Sequence, residues 1–219
     1  MITSVQPVPH TTRDEAHRSS RDESATAWAL AARGGDPAAL DRFVRALHPD
    51  VVRYITHLSS DRQLADDLAQ DTFLRALGSL HRFEGRSSAR TWLLSIARRT
   101  VVDSLRHAAA RPRSADADDW TTCAERARPA GLPGFEDGVA LLDLLDALPA
   151  ERRQAFVLTQ LAGLHYEEAA EVSGCPVGTI RSRVARARAT LVRLLIEAES
   201  EPASGAAAER RHLPSPAAA

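Results

Sequence analysis

An all-α protein of two small helical domains is predicted by three observations. Apolar residues recur every three or four positions along most of the chain. No stretch alternates apolar and polar residues with period two. Helix-start residues precede the periodic runs. The first runs span Ala25 to Arg33, Pro37 (behind Asp36) to Leu58, Arg62 (behind Asp61) to Leu77, and Ser88 to Ala109. An aspartate ahead of a run can accept the orphan N–H groups of the first turn. These four helices make a domain over 25–110. Helical patterns resume from Glu136 to Leu148, Pro149 to Leu161, Tyr166 to Ser173 and Pro176 to Glu197, a second domain over 136–198. Residues 111–135 hold three prolines, many Asp and Ala and no apolar period, and read as a flexible acidic linker. The stretches 1–24 and 199–219 lack periodicity and read as disordered tails.

The chain has 219 residues and a formal net charge of −1, and that neutrality hides segregation by sign. From Arg82 to Arg111 seven arginines face only Glu84 and Asp103, whereas from Asp116 to Glu151 nine acids face Arg126 and Arg128. Blocks of this kind imply two separate anionic contacts. Cys123 and Cys175 are isolated, so neither a disulfide framework nor a metal site is supported. No apolar run approaches roughly 18 residues and no signal-peptide core is present, so a cytoplasmic location without membrane contact is expected. Phosphate-cradling glycine motifs are absent. The pairs Asp66–Asp67 and Glu167–Glu168 point in different directions on a helix, unsuited to acid–base work. The expectation is a protein without catalysis, cofactor or metal.

The segment Cys175 to Arg188, CPVGTIRSRVARAR, carries the strongest functional signal. Pro176 suits a helix start. Val177, Ile180, Val184, Ala187, Leu191 and Leu195 then mark one buried face. The opposite side carries Gly178, Thr179, Ser182, Ala185 and Ala189, flanked by Arg181 and Arg188 and by Arg183 and Arg186. Small residues allow close approach to base edges, and guanidiniums reach phosphates or guanine O6 and N7. Tyr166 to Val172 reads as a short helix, and Ser173-Gly174-Cys175 as the turn into the recognition helix. The unit is a helix-turn-helix.

Two further surfaces lie in the first domain. On the helix from Arg62, Ala65, Leu68, Ala69, Thr72 and Ala76 share one side and Asp66, Asp67, Gln70 and Asp71 the other. That acidic stripe is either a solvated face or a dock for a basic protein. On the helix from Ser88, Thr91, Ser95, Arg98, Arg99, Val102 and Arg106 lie outside. The preceding loop, Phe83-Glu84-Gly85-Arg86-Ser87-Ser88, has the residue types to hold an unstacked base. Phe83 and Trp92 read equally as core aromatics.

The segments DDLAQDTFLRAL (66–77), RFEGRSSARTWLLSIARRTVVDSLR (82–106) and LTQLAGLHYEEAAEVSGCPVGTIRSRVARAR (158–188) together resemble the extracytoplasmic-function sigma factors of the sigma-70 family, most of all the actinobacterial sigma-C type. The resemblance covers about Ala25 to Leu195. It implies a sigma region 2 domain and a region 4 helix-turn-helix domain in a transcription initiation subunit that binds core RNA polymerase and selects promoters. Asp66, Asp67, Gln70 and Asp71, with Phe73 and Arg75 nearby, would meet the clamp helices of the largest polymerase subunit. Phe83, Glu84, Gly85, Arg86, Ser87 and Ser88, with Arg98, Arg99 and Arg106, would melt and hold the −10 element. Thr179, Arg181, Ser182 and Arg186 would read the −35 element, with Pro176, Gly178 and Arg183 on the same DNA-binding surface and Arg183 and Arg188 on phosphate or structural duty. An anti-sigma factor is a further implied partner. Ala185 departs from the bulkier group that many relatives carry there.

A different reading is a stand-alone helix-turn-helix regulator binding duplex DNA as a dimer. It leaves the basic face of the first domain without a purpose. The acids between Asp116 and Glu151 suggest one more expectation: they fold back on the arginine faces and mask DNA binding in the free protein.

Overall fold

The computed structural model describes residues 12–59, 62–110 and 135–200, and every regular element among them is helical. Helices α1 (Thr12–Arg33), α2 (Pro37–Ser59), α3 (Arg62–Ser79) and α4 (Ala89–Ala110) form the first domain, with a single 3-10 turn at Leu80–Arg82. Helices α5 (Phe135–Asp146), α6 (Ala150–Phe156), α7 (Tyr166–Ser173) and α8 (Val177–Ser200) form the second. A π-type turn, Val157–Leu161, prolongs α6.

Sequence spacing explains the packing. Phe43, Leu47, Val51 and Ile55, four residues apart on α2, are buried against Ala65, Leu68, Ala69, Thr72 and Ala76 of α3 and Leu93, Ile96, Ala97 and Val101 of α4. Ala25 and Ala29 let α1 approach the same core closely. Asp36 caps α2, its Oδ1 accepting the N–H of Ala38 at 2.9 Å and of Ala39 at 3.1 Å. Ser88 caps α4 through Thr91 N–H at 3.1 Å, and Thr26 of α1 takes the Ala89 N–H at 2.9 Å. In the second domain Leu145, Leu158, Ala169, Ile180, Val184 and Ala187 are buried. Leu191 is half-buried and Leu195 exposed, so the predicted apolar face of α8 stops short of its expected end.

Two expectations about order need correction or restriction. Residues 12–24, read as disordered tail, are helical. They have no buried apolar stripe of their own; polar contacts to α4 and to the second domain hold them, as described below. All of the predicted linker over 111–135 except Phe135, which opens α5, lies outside the described residues, as do the stretches 1–11 and 201–219, the expected cap Asp61, and Asp116, Asp118 and Asp119 of the expected acidic mask. At the recognition helix, the carbonyl of Pro176 accepts the N–H groups of Thr179 (2.9 Å) and Ile180 (3.3 Å), so Pro176, expected as the helix start, is the last residue before α8.

One titration follows from the packing. The Nδ1 atom of His57, on α2, is buried without a hydrogen-bond partner. Burial first, and then the Arg53 charge, lower its pKa from 6.5. A folded pKa below the unfolded one gives stability that is present above pH 6.5 and lost as the pH falls below it, because the unfolded chain then binds the proton more readily. The melting temperature of His57→Leu is therefore expected to gain on the wild type between about pH 7 and about pH 5. A difference that stays constant with pH would exclude this role for His57.

Candidate nucleic-acid interface

The helix-turn-helix forms as its residues dictate. His165 begins α7 with a reciprocal capping box, in which Glu168 Oε2 accepts the His165 N–H at 3.0 Å. Gly174 ends it at φ 63°, ψ 40°, a left-handed conformation that lacks steric cost only without a Cβ. The Cys175 N–H then donates to the Ala170 carbonyl at 3.2 Å and closes the turn into α8.

On α8 the predicted contact residues divide into two groups. Pro176, Gly178, Arg181, Ser182 and Arg186 are exposed and Thr179 half-exposed, all on the side opposite Ile180, Val184 and Ala187. The Arg181 guanidinium lies 5.8 Å from the centre of the Tyr166 ring and 3.9 Å from Glu167. Arg183 is different. Its guanidinium pairs with Glu151 of α6 and donates to Cys175 Sγ at 3.6 Å, so it braces the recognition helix instead of extending from it. Arg188 does the same further along, donating to Gln160 Oε1 at 2.6 Å. Of the two duties expected of Arg183, phosphate contact or structure, its side chain here performs the structural one: the acceptor that sequence spacing could not supply comes from a helix some thirty residues upstream.

The acidic stripe of α3 is present, with Asp66, Asp67 and Gln70 exposed and Asp71 half-exposed. Arg75 is bound within the domain, holding Asp71 at 3.0 Å and Asp103 of α4 at 3.0 Å. Hydrogen bonds to those two carboxylates raise its pKa. Phe73, expected on the contact surface, is buried beneath His48, whose ring stacks on it with centroids 5.8 Å apart. Beside it Leu74 (63% exposed) and Leu77, with Val44, His48, Asp66 and Gln70, line an apolar groove that the charge pattern did not reveal. The available signal was two leucines on the face of α3 opposite its alanine seam.

In the loop before α4, Glu84 and Arg86 are exposed and paired with each other, Gly85 turns at φ 72°, and Ser87 and Ser88 are half-exposed. Phe83 is only 4% exposed, its ring 4.9 Å from that of Trp92 and its carbonyl taken by Arg33 at 2.9 Å. It supports the loop from within, the core-aromatic alternative expected for it, with little exposed face to offer a base.

The outer face of α4 holds the largest departure. Arg99 and Arg106 are exposed, but Thr91 is 1% exposed and Ser95, Arg98 and Val102 are half-buried, because α7 of the second domain packs there. Thr91 Oγ1 donates to Glu168 Oε1 at 3.0 Å. The Tyr54 hydroxyl, buried nearby, has its pKa raised by that burial and senses the Arg98 and Gln154 side chains. No spacing within α4 could show that a helix distant in sequence covers it.

Residues 43–111 match Sigma-70 region 2, and residues 138–191 match Sigma-70, region 4. The extracytoplasmic-function RNA polymerase sigma factor SigC of Mycobacterium tuberculosis is 49% identical over 193 residues, spanning 85% of this chain and 97% of that protein. The chain belongs to the extracytoplasmic-function sigma factors. It is an alternative sigma factor, which directs promoter-specific transcription initiation, and the stand-alone regulator reading gives way. A similar factor, EcfG of Rhodopseudomonas palustris, is 36% identical over 69% of this chain and 82% of its own length. Among solved structures, the sigma factor RpoE from Bartonella quintana in complex with the anti-sigma factor NepR has 29% identity and a TM-score of 0.57, covering 71% of this chain and 96% of that one. CnrH, in complex with the cytosolic domain of CnrY, shares the fold with a TM-score of 0.62 at 24% identity, covering 80% of this chain and 98% of that one. Two-domain helical architecture is therefore common to this sigma factor and its relatives. No helix among the described residues is long and apolar enough to cross a membrane.

Proposed function

We propose that this sigma factor docks on core RNA polymerase through the α3 face of Asp66, Asp67, Gln70 and Asp71, extended by His48, Leu74 and Leu77. An acidic rim around an apolar groove suits a basic helical partner, because charge guides the encounter and leucine burial supplies affinity. Thr179, Arg181, Ser182 and Arg186 read the −35 element from the major groove, with Pro176 and Gly178 against the backbone. The loop 84–88 with Arg98, Arg99 and Arg106 holds the −10 strand once α7 has left α4. On this reading the first domain, expected over 25–110, also takes in the leading half of α1, the second, expected over 136–198, runs from α5 to α8, the chain works in the cytoplasm, and the chemistry belongs to polymerase. An anti-sigma factor, the kind of partner bound to the Bartonella relative, is a partner for this chain as well.

The observation that carries this reading is the exposed set Thr179, Arg181, Ser182 and Arg186 opposite a buried, doubly braced face of α8. Run-off transcription with core polymerase and a promoter library tests it. Asp66→Ala combined with Asp67→Ala and Gln70→Ala is expected to abolish transcription while duplex DNA binding by the free chain is retained. Transcription at the wild-type level would remove the α3 face from the polymerase contact.

A further inference from the structure

The α6 segment ends in two carbonyls that its own helix cannot satisfy, and both are taken by arginines of the first domain. Arg90 Nη2, at the start of α4, donates to Ala162 O at 2.8 Å, and Arg18 Nη1, in the leading half of α1, donates to Gly163 O at 3.4 Å. A helix C-terminus carries partial negative charge, so guanidiniums there cap it electrostatically as well as by hydrogen bonding. Arg90 is 9% exposed and is held from behind by Asp50 of α2 at 2.9 Å, with Asp22 of α1 at 4.0 Å. Four segments of the chain thus converge on one buried charge.

Gly163 makes room for this arrangement. It sits at φ 70°, and a Cβ built there would lie 1.8 Å from Arg18 Nη1. The turn needs glycine for its backbone and the guanidinium needs the same position for space. Before Ala25, α1 has no buried apolar residue among those described, so contacts such as Arg18 with Gly163 and Asp22 with Arg90 are what hold its leading half in place.

We propose that the leading half of α1 is a strap: Arg18, together with Arg90, clasps the carbonyl end of α6 and keeps α7 seated on the outer face of α4. While the clasp is closed, Thr91, Ser95, Arg98 and Val102 are covered, whereas Asp66, Asp67 and Gln70 on α3 and Ser182 and Arg186 on α8 stay open. The closed chain can therefore meet polymerase and duplex DNA but cannot offer α4 to a melted strand. The strap stands on its own contacts; the identity of the covered face as the −10 surface rests on the proposed function.

Hydrogen–deuterium exchange on the full chain tests the strap, comparing wild type with Arg18→Ala and with Ser19→Ala, an exposed neighbour, as the control. Arg18→Ala is expected to speed exchange in peptides covering 12–24 and 162–168 while α2 and α3 stay protected, and Ser19→Ala to change nothing. Gly163→Ala, which excludes the guanidinium from the other side, should speed exchange over 12–24 as well. Unchanged exchange over 12–24 in both Arg18→Ala and Gly163→Ala overturns the strap.

The second readout is the affinity of the free chain for a fluorescent single-stranded oligonucleotide bearing the non-template −10 sequence of a promoter selected by run-off transcription. If closure holds the competent form near a tenth of the population, Arg18→Ala raises that affinity about tenfold, the inverse of the populated fraction. Faster exchange without any gain in affinity leaves the strap standing and removes α4 from the −10 contact.

Discussion

Arg186→Ala is expected to lower run-off transcription from a promoter that depends on its −35 element by about 5- to 160-fold, the range set by losing one bidentate base contact of about 1–3 kcal/mol. Arg186 is exposed on α8 and its side chain makes no hydrogen bond or ion pair among the described residues, so its removal is expected to leave the fold intact. The loss should come with relaxed preference at one −35 position, which a promoter library reads directly. A uniform loss across all −35 variants, with a shallower dependence on salt, would assign Arg186 to a phosphate instead.

Ile180→Ala is expected to be among the most damaging single changes in the second domain. Ile180 is fully buried one turn into the recognition helix, and truncating a buried aliphatic side chain costs about 2–5 kcal/mol. A domain this small has little stability to lose. Thermal unfolding followed by circular dichroism should lose a cooperative component, and −35-dependent transcription should fail, while α1 to α4 retain their own protection from exchange. A single unfolding transition shifted by only a degree or two would mean that neighbouring residues collapse into the space.

Much of this was readable from residue types, and the exceptions have physical causes. Phe43, Leu47, Val51 and Ile55 announce α2 because each reports the same helix face, and Ile180, Val184 and Ala187 do so for α8. Gly174 marks its turn because few other residues adopt its backbone conformation at low cost. Phe83 was ambiguous, and Phe73 was expected on the contact surface though it is buried, because an aromatic ring suits a core and a contact surface equally well. Thr91 and Arg98 were expected outside and are covered, because helical period tells which residues share a side, and only tertiary packing tells what lies against it. The stretch 12–24 was missed for the same reason, since a helix held by Arg18 and Asp22 leaves no apolar period to read.

The division of labour on α8 bears on how promoter preference can diversify. Arg183 and Arg188 hold the helix by their side chains, whereas the side chains of Ala185 and Arg186 make no contact on which the fold depends. Substitutions at 185 and 186 can accumulate at nearly constant stability, and so can be recombined freely among relatives. On the proposed −35 contact, a set of chains differing only there would share one polymerase and one fold while addressing separate gene sets, a suitable starting point for mutually insulated transcription circuits.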